Sequence, residues 1–302
     1  MSKPVVAAKL ADIAGRDLPR SAGVISTGRM PIAESHDSHR IKMNMPTITT
    51  PFGITLSYDK YGNGPALVLV HGSFSDHRSN WTCIKPILEQ KFTVYAVARR
   101  GRGLTDATKG HSLEDEASDV VALIEAIDGP VFVLGHSYGA LVALMAVADV
   151  PGRAQKLVLY EPPLPETLTK QTLARLEELA EQALWDDLAS TFFHEVIGVP
   201  MEEIDALRRT EHWGPISKDA EPTWEELRSI TTRDFRADRF ADLQLPVLLQ
   251  CGTESPGELF ATEALAAVLP DVRVDRLVGQ AHEAMTTAPE QYAESVTRFL
   301  LT

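Results

Sequence analysis

A serine hydroxyl becomes a useful nucleophile only when a base takes its proton, and that base keeps its aim only when a third group holds it. Gly135-His136-Ser137-Tyr138-Gly139 is built to supply such a serine, with glycine two residues before and two residues after Ser137. A sharp strand-to-helix turn needs that spacing, because a side chain at either flank would collide with the adjoining strand or helix. The turn would lift the Ser137 hydroxyl clear of the backbone. A base fits at His282, in Gly279-Gln280-Ala281-His282-Glu283, on the loop beyond the last strand-like run. Among the other histidines, His136 lies inside the turn, where its side chain is expected to point away from the serine. His71 ends a strand and is expected to brace a loop. His194 and His212 fall in a helical stretch from which they could touch substrate.

The elements that must position these groups follow from the apolar pattern. Val131-Phe132-Val133-Leu134, bounded by Gly129-Pro130 and Gly135, fits a strand covered on both faces. From Tyr138 onward Ala, Leu and Met replace the β-branched residues, and a helix follows. Earlier, Thr47–Thr50 and Ile54–Tyr58 alternate around Pro51-Phe52-Gly53, which predicts an antiparallel hairpin. Ala66–Val70 ends in His71-Gly72-Ser73-Phe74, and Phe92–Val97 is followed by Arg99-Arg100-Gly101-Arg102-Gly103. A helix over 112–127 opens with a capping box, Ser112-Leu113-Glu114-Asp115, and carries Val120, Leu123, Ile124 and Ile127 at helical spacing. Lys156–Tyr160 is a strand ending in Glu161-Pro162-Pro163. After residue 243 come a strand at Pro246–Cys251, a helix at 257–269, a strand at Val272–Leu277 and a closing helix at 289–301. Strands alternating with helices imply right-handed crossovers and an α/β fold with a mostly parallel sheet.

The alternation breaks over 164–243. Leu173, Leu176, Leu179, Ala180 and Ala183 recur there on one helical face, and Trp185, Phe192, Phe193, Trp213 and Trp224 cluster in the same stretch. An insertion of this size between two strands is expected to be a helical cap, with its aromatics as cap core. Residues 46–163 and 244–302 then form the core domain, and 1–45, without sustained hydrophobic period, reads as a loosely ordered extension. The histidines and acids within 34–39 match no metal spacing, and no metal or cofactor is expected.

The chain has 302 residues, 44% hydrophobic and 24% charged, which suits one large domain with an insertion. A formal charge of −13 argues against nucleic acid or an anionic membrane as partner. Cys83 and Cys251 stand in apolar contexts and are expected to be unpaired thiols. No secretory leader is evident, and the longest apolar run, within 140–148, is too short for a bilayer, so a cytoplasmic location is expected. Oligomeric state is not legible.

From about Thr47 to the C-terminus the chain resembles the α/β-hydrolase superfamily. The His71-Gly72 loop, Arg100-Gly101-Arg102-Gly103, Gly135-His136-Ser137-Tyr138-Gly139 and His282 match its motifs in order. The resemblance implies an oxyanion hole made by the backbone amides of Tyr138 and Ser73, with Phe74 a less favoured donor and a candidate substrate contact. It also exposes a departure. The family usually carries its acid as Gly-x-x-Asp after the strand at 246–251, where this chain has Gly252-Thr253-Glu254-Ser255. Certain haloalkane dehalogenases, and lactone hydrolases resembling the zearalenone-degrading enzymes, take the acid from the end of the strand after the elbow helix. Glu161 stands at that point, stiffened by Pro162-Pro163, and is preferred over Glu254 as the acid. Serine at the elbow, rather than the carboxylate of dehalogenases and epoxide hydrolases, directs attack to a carbonyl. The resemblance thus implies hydrolysis of a small or medium carboxylic ester or lactone through an acyl-enzyme. Cofactor-free perhydrolysis, thioester cleavage and carbon–carbon bond hydrolysis use the same residues, and a weakly catalytic ligand receptor is the alternative from another class.

Overall fold

Apolar residues in consecutive positions of a strand face opposite ways, so a strand with no polar alternation must be covered on both sides. The computed structural model, which describes residues 45–165, 168–232 and 234–302, shows this arrangement. The strands are β1 (Thr47–Thr49), β2 (Thr55–Gly62), β3 (Ala66–Val70), β4 (Thr93–Ala98), β5 (Val131–His136), β6 (Ala154–Tyr160), β7 (Val247–Gly252) and β8 (Val272–Leu277). They form one eight-stranded sheet in the order β1-β2-β4-β3-β5-β6-β7-β8. β1 and β2 are the expected hairpin, with Thr47 opposite Ser57, and β2 pairs antiparallel with β4. All other pairings are parallel. The sequence extension, apart from Met45, lies outside the described residues.

The helices before residue 164 are α1 (Lys85–Leu88), α2 (Leu113–Ala126) and α3 (Tyr138–Asp149). Residues 164–243 then hold α4 (Lys170–Glu181), α5 (Trp185–Glu195), α6 (Met201–Arg208), α7 (Trp213–Lys218) and α8 (Ala220–Thr231). The chain closes with α9 (Thr262–Ala266), α10 (Ala284–Thr287) and α11 (Pro289–Leu301). On one face of the sheet Val68, Val70, Val133, Leu157 and Leu159 pack with α2 and α3 through Val120, Leu123, Leu141 and Leu144. On the other, Leu67, Leu69, Phe132, Leu134 and Val158 meet Leu88, Tyr292, Val296 and Phe299. Val68 and Leu69 are neighbours in sequence and lie in different cores, which is the period of two read directly.

The insertion has its own apolar centre, formed by Leu176, Leu188, Phe192, Ile204, Leu207, Trp213, Trp224 and Leu227. Phe74, from the loop after β3, is sunk into it. Ala183, expected on the face of α4, lies beyond its end with φ +52°. The helix expected over 257–269 is cut to a 3-10 turn at 257–259 and the short α9. Tertiary pairing wins there: Leu164 N–H donates to Leu259 O (2.8 Å) and Ala261 N–H to Pro162 O (2.8 Å), drawing the segment alongside the Glu161 loop. Cys83 and Cys251 are unpaired and half-buried. No helix of the described residues is long and apolar enough to cross a membrane.

The expected capping box is present at α2: Asp115 N–H donates to Ser112 Oγ (3.1 Å) and Ser112 N–H to Asp115 Oδ2 (2.7 Å). Ser112→Ala should lower unfolding stability by about 1 kcal/mol, read as a lower urea midpoint at constant slope. An unchanged midpoint would mean that the box does not hold the start of α2.

Candidate active site

The turn between β5 and α3 is as tight as its glycines suggest. A Cβ on Gly135 would lie 2.5 Å from Gly139 O, and one on Gly139 would lie 2.2 Å from His71 O, so neither position admits a side chain. Ser137 itself takes φ +55° and ψ −127°, a backbone region that an L-residue occupies only when its surroundings enforce it. Enforcement comes from both sides: Ser137 N–H donates to Tyr160 O (2.9 Å) and Ala140 N–H to Ser137 O (2.8 Å). The Ser137 hydroxyl has no hydrogen-bond partner among the described residues and stands half-exposed.

β6 runs beside β5, so the first residue past β6 emerges next to this turn. That residue is Glu161, with no solvent exposure and φ +46°. Both of its carboxylate oxygens are satisfied: His282 Nδ1–H donates to Oε2 (2.7 Å) and Gly252 N–H to Oε1 (2.8 Å). The bond fixes the His282 tautomer with its proton on Nδ1, which leaves Nε2 as the basic nitrogen. Burial pulls the His282 pKa down, but the hydrogen bond and charge of Glu161, helped by Glu283, outweigh it and hold the pKa above the ordinary histidine value. Glu254 is exposed, and its carboxylate meets only the neighbouring Thr253 hydroxyl (3.2 Å). Its backbone N–H donates to Gln280 O (2.9 Å), so the loop that would usually carry the acid steadies the His282 loop instead.

His136 departs from expectation. Its side chain does not point away but lies under His282, ring centroids 4.7 Å apart, with Nε2 3.1 Å from His282 O and Nδ1 3.0 Å from Asn80 Oδ1. Burial, and then the charge of His282, push its pKa well down, so it stays neutral. Phe260 stacks on the His282 ring at 5.1 Å and 17°, and Tyr160 O–H donates to Ala281 O (2.5 Å). The two hydrogen bonds onto the His282 loop, from His136 and from Tyr160, span 146 and 121 positions, and no local pattern announces these contacts. His71 braces its loop as expected: Nδ1–H donates to Gly72 O (2.8 Å) and Nε2 accepts from Arg99 N–H (3.3 Å). His194 and His212 are exposed on the insertion.

The loop after β3 closes over the serine. A Cβ on Gly72 would sit 3.0 Å from Ser137 Cβ, which brings Ser73 against the Ser137 turn. Phe74 N–H is engaged, donating to Thr223 Oγ1 of α8 (3.0 Å). The Ser73 and Tyr138 N–H groups have no partner among the described residues. The Phe74 ring, expected near substrate, is nine-tenths buried against Phe192 and Phe193, with centroids at 4.8 and 5.1 Å. Ser137, His282, Glu161, Ser73 and Tyr138 are therefore brought together at the C-terminal ends of adjoining strands, and Glu254 is left outside.

Known proteins agree with this arrangement of elements. The sequence profile of the alpha/beta hydrolase family matches residues 67–295. The chain is 28% identical over 262 residues to a 2-(acetamidomethylene)succinate hydrolase of Mesorhizobium japonicum, covering 82% of this chain and 92% of that one. It is likewise 28% identical over 266 residues to a non-heme chloroperoxidase of Streptomyces lividans, covering 82% and 96%. The crystal structure of an alpha/beta hydrolase from Sphaerobacter thermophilus superposes with a TM-score of 0.73 at 28% identity, covering 84% of this chain and all of that one. With its sheet order, its elbow and a family match across most of its length, the chain belongs to the alpha/beta hydrolase family.

Proposed function

We propose that the chain is a serine hydrolase that cleaves a small or medium carboxylic ester or lactone through an acyl-enzyme. The observation that carries this reading is the 2.7 Å hydrogen bond from His282 Nδ1 to the buried Glu161, beside a strained elbow that raises Ser137. In this mechanism Ser137 Oγ attacks the carbonyl carbon and gives its proton to His282 Nε2. Glu161 stabilises the imidazolium so formed. The Ser73 and Tyr138 amides receive the developing oxyanion. His282 then protonates the leaving alkoxide, the acyl-enzyme remains, and a water deprotonated by His282 releases the acid and free Ser137. The 164–243 insertion acts as the cap over this site, and its form sets which acyl and alcohol groups enter. A small organic molecule is the partner, and the unpaired cysteines suit action in a reducing cytoplasm.

Turnover of p-nitrophenyl acetate and butyrate, with Ser137→Ala as the blank, tests the reading; turnover retained by Ser137→Ala would overturn it. The acid is tested in the same assay. Glu161→Gln should lower kcat/KM roughly 10³–10⁴-fold, and Glu254→Gln should leave it within about twofold. Equal or reversed effects would move the acid to the loop after β7.

The pH profile has a definite sign. Only neutral His282 can accept the Ser137 proton, and its pKa is raised, so activity should fall on acidification along a limb centred above the ordinary imidazole value of about 6.5. Glu161→Gln should shift that limb to lower pH in whatever activity remains. A limb that stays in place would mean that Glu161 does not set the charge state of His282.

A further inference from the structure

We propose that helix α8 of the insertion is a working part of the oxyanion hole, with Thr223 and Glu226 as positioning residues that clasp the Ser73–Phe74 loop. This rests on the serine hydrolase reading and adds to it a second role for the cap. The clasp has two arms. Thr223 Oγ1 accepts the Phe74 N–H at 3.0 Å, pinning a residue held at φ +52°. A phenylalanine does not rest there unaided, and the partner that holds it lies 149 positions away. Glu226, with no solvent exposure, accepts from the Ser73 hydroxyl through Oε2 at 2.5 Å.

Glu226 also reaches the hole through an arginine. Its Oε1 pairs with Arg99 Nη1 at 2.8 Å, and Arg99 Nη2 donates to Gly72 O at 2.8 Å. The Gly72 carbonyl and the Ser73 N–H share one peptide plane and point in opposite directions across it. Holding that carbonyl on the arginine side therefore aims the Ser73 N–H the other way, and Arg99 Nε adds a second tie to the same strand end at His71 O (2.9 Å). The same guanidinium lies 4.8 Å over the ring of Tyr138, whose amide is the other proposed donor.

The docking of α8 is enforced by charge. Arg102 bonds Glu226 through Nη1, reaches Thr223 Oγ1 with Nη2 (3.3 Å) and faces Asp219 with Nε (3.5 Å). Arg99 and Arg102 are nearly solvent-free, so withdrawing α8 would leave buried guanidinium groups short of partners. Loop geometry and cap position are in this way one state: the hole is complete only while α8 is seated.

Steady-state kinetics on p-nitrophenyl acetate, with inhibition by an aryl trifluoromethyl ketone that presents the oxyanion as a hemiketal, tests this. Thr223→Val removes the acceptor with little change of shape. It should lower kcat about tenfold to a hundredfold, keep KM within about twofold, and weaken the trifluoromethyl ketone by the same factor as kcat. Thr223→Ser should restore all three. Ser73→Ala, which leaves the buried ions in place, should lower kcat in the same direction and decides the matter if Thr223→Val does not fold. Wild-type kcat and ketone affinity in folded Thr223→Val, or in Ser73→Ala where Thr223→Val is not folded, would overturn the clasp alone. A wild-type chain that turns over no ester would overturn the hydrolase reading and the clasp with it.

Discussion

A carboxyl group with no access to water costs free energy unless both of its oxygens are hydrogen-bonded. Glu161 meets that condition through one backbone amide from the end of β7 and one imidazole from the loop after β8. The constraint reaches through the whole sheet. β6 lies between β5 and β7, so a residue leaving its C-terminal end is within reach of the elbow on one side and of the histidine loop on the other. Removing either partner would leave a buried oxygen of Glu161 unsatisfied, at a cost of about 1–3 kcal/mol, which helps to keep His282, Gly252 and Glu161 in register.

Two further supports build on that pair. The His282 ring is packed by Phe260 and His136, and its loop is held by Tyr160 and by the amide of Glu254. On the opposite side of the elbow, Arg99, Arg102, Glu116 and Glu226 form a buried network joining the ends of the sheet to α8. Burial alone would raise the pKa of Glu116, yet Arg99 and His111 outweigh it and hold the carboxylate low. The candidate site is thus framed by two buried polar systems, one holding His282 and one seating the Ser73–Phe74 loop against α8.

The parts legible in the sequence are those whose cause is local. The Gly135–Gly139 turn, the α2 capping box and the alternation of strands and helices each depend on neighbours a few residues away, and each is found where the pattern puts it. His282 was legible as a histidine beyond a final strand. The pairing of Glu161 with His282 required a resemblance as well, because a strand-end acid says nothing of its partner until β7 and the histidine loop are seen to converge on it. The side chain of His136, the stacking of Phe260 and the grip of Thr223 and Glu226 were not legible, since each joins elements distant in sequence. The shortened helix at α9 failed for the same reason: its pattern was helical, but pairing with the Glu161 loop took the backbone hydrogen bonds first.

Ser137 as a nucleophile activated by its surroundings is the claim on which the rest stands. Peptide mapping by mass spectrometry after treatment of the intact protein with a fluorophosphonate tests it directly, because the reagent phosphonylates only a serine whose proton is being taken. The account predicts one adduct per chain, on the peptide containing Ser137, and none in the Ser137→Ala variant. No adduct, or an adduct on another residue, would contradict it.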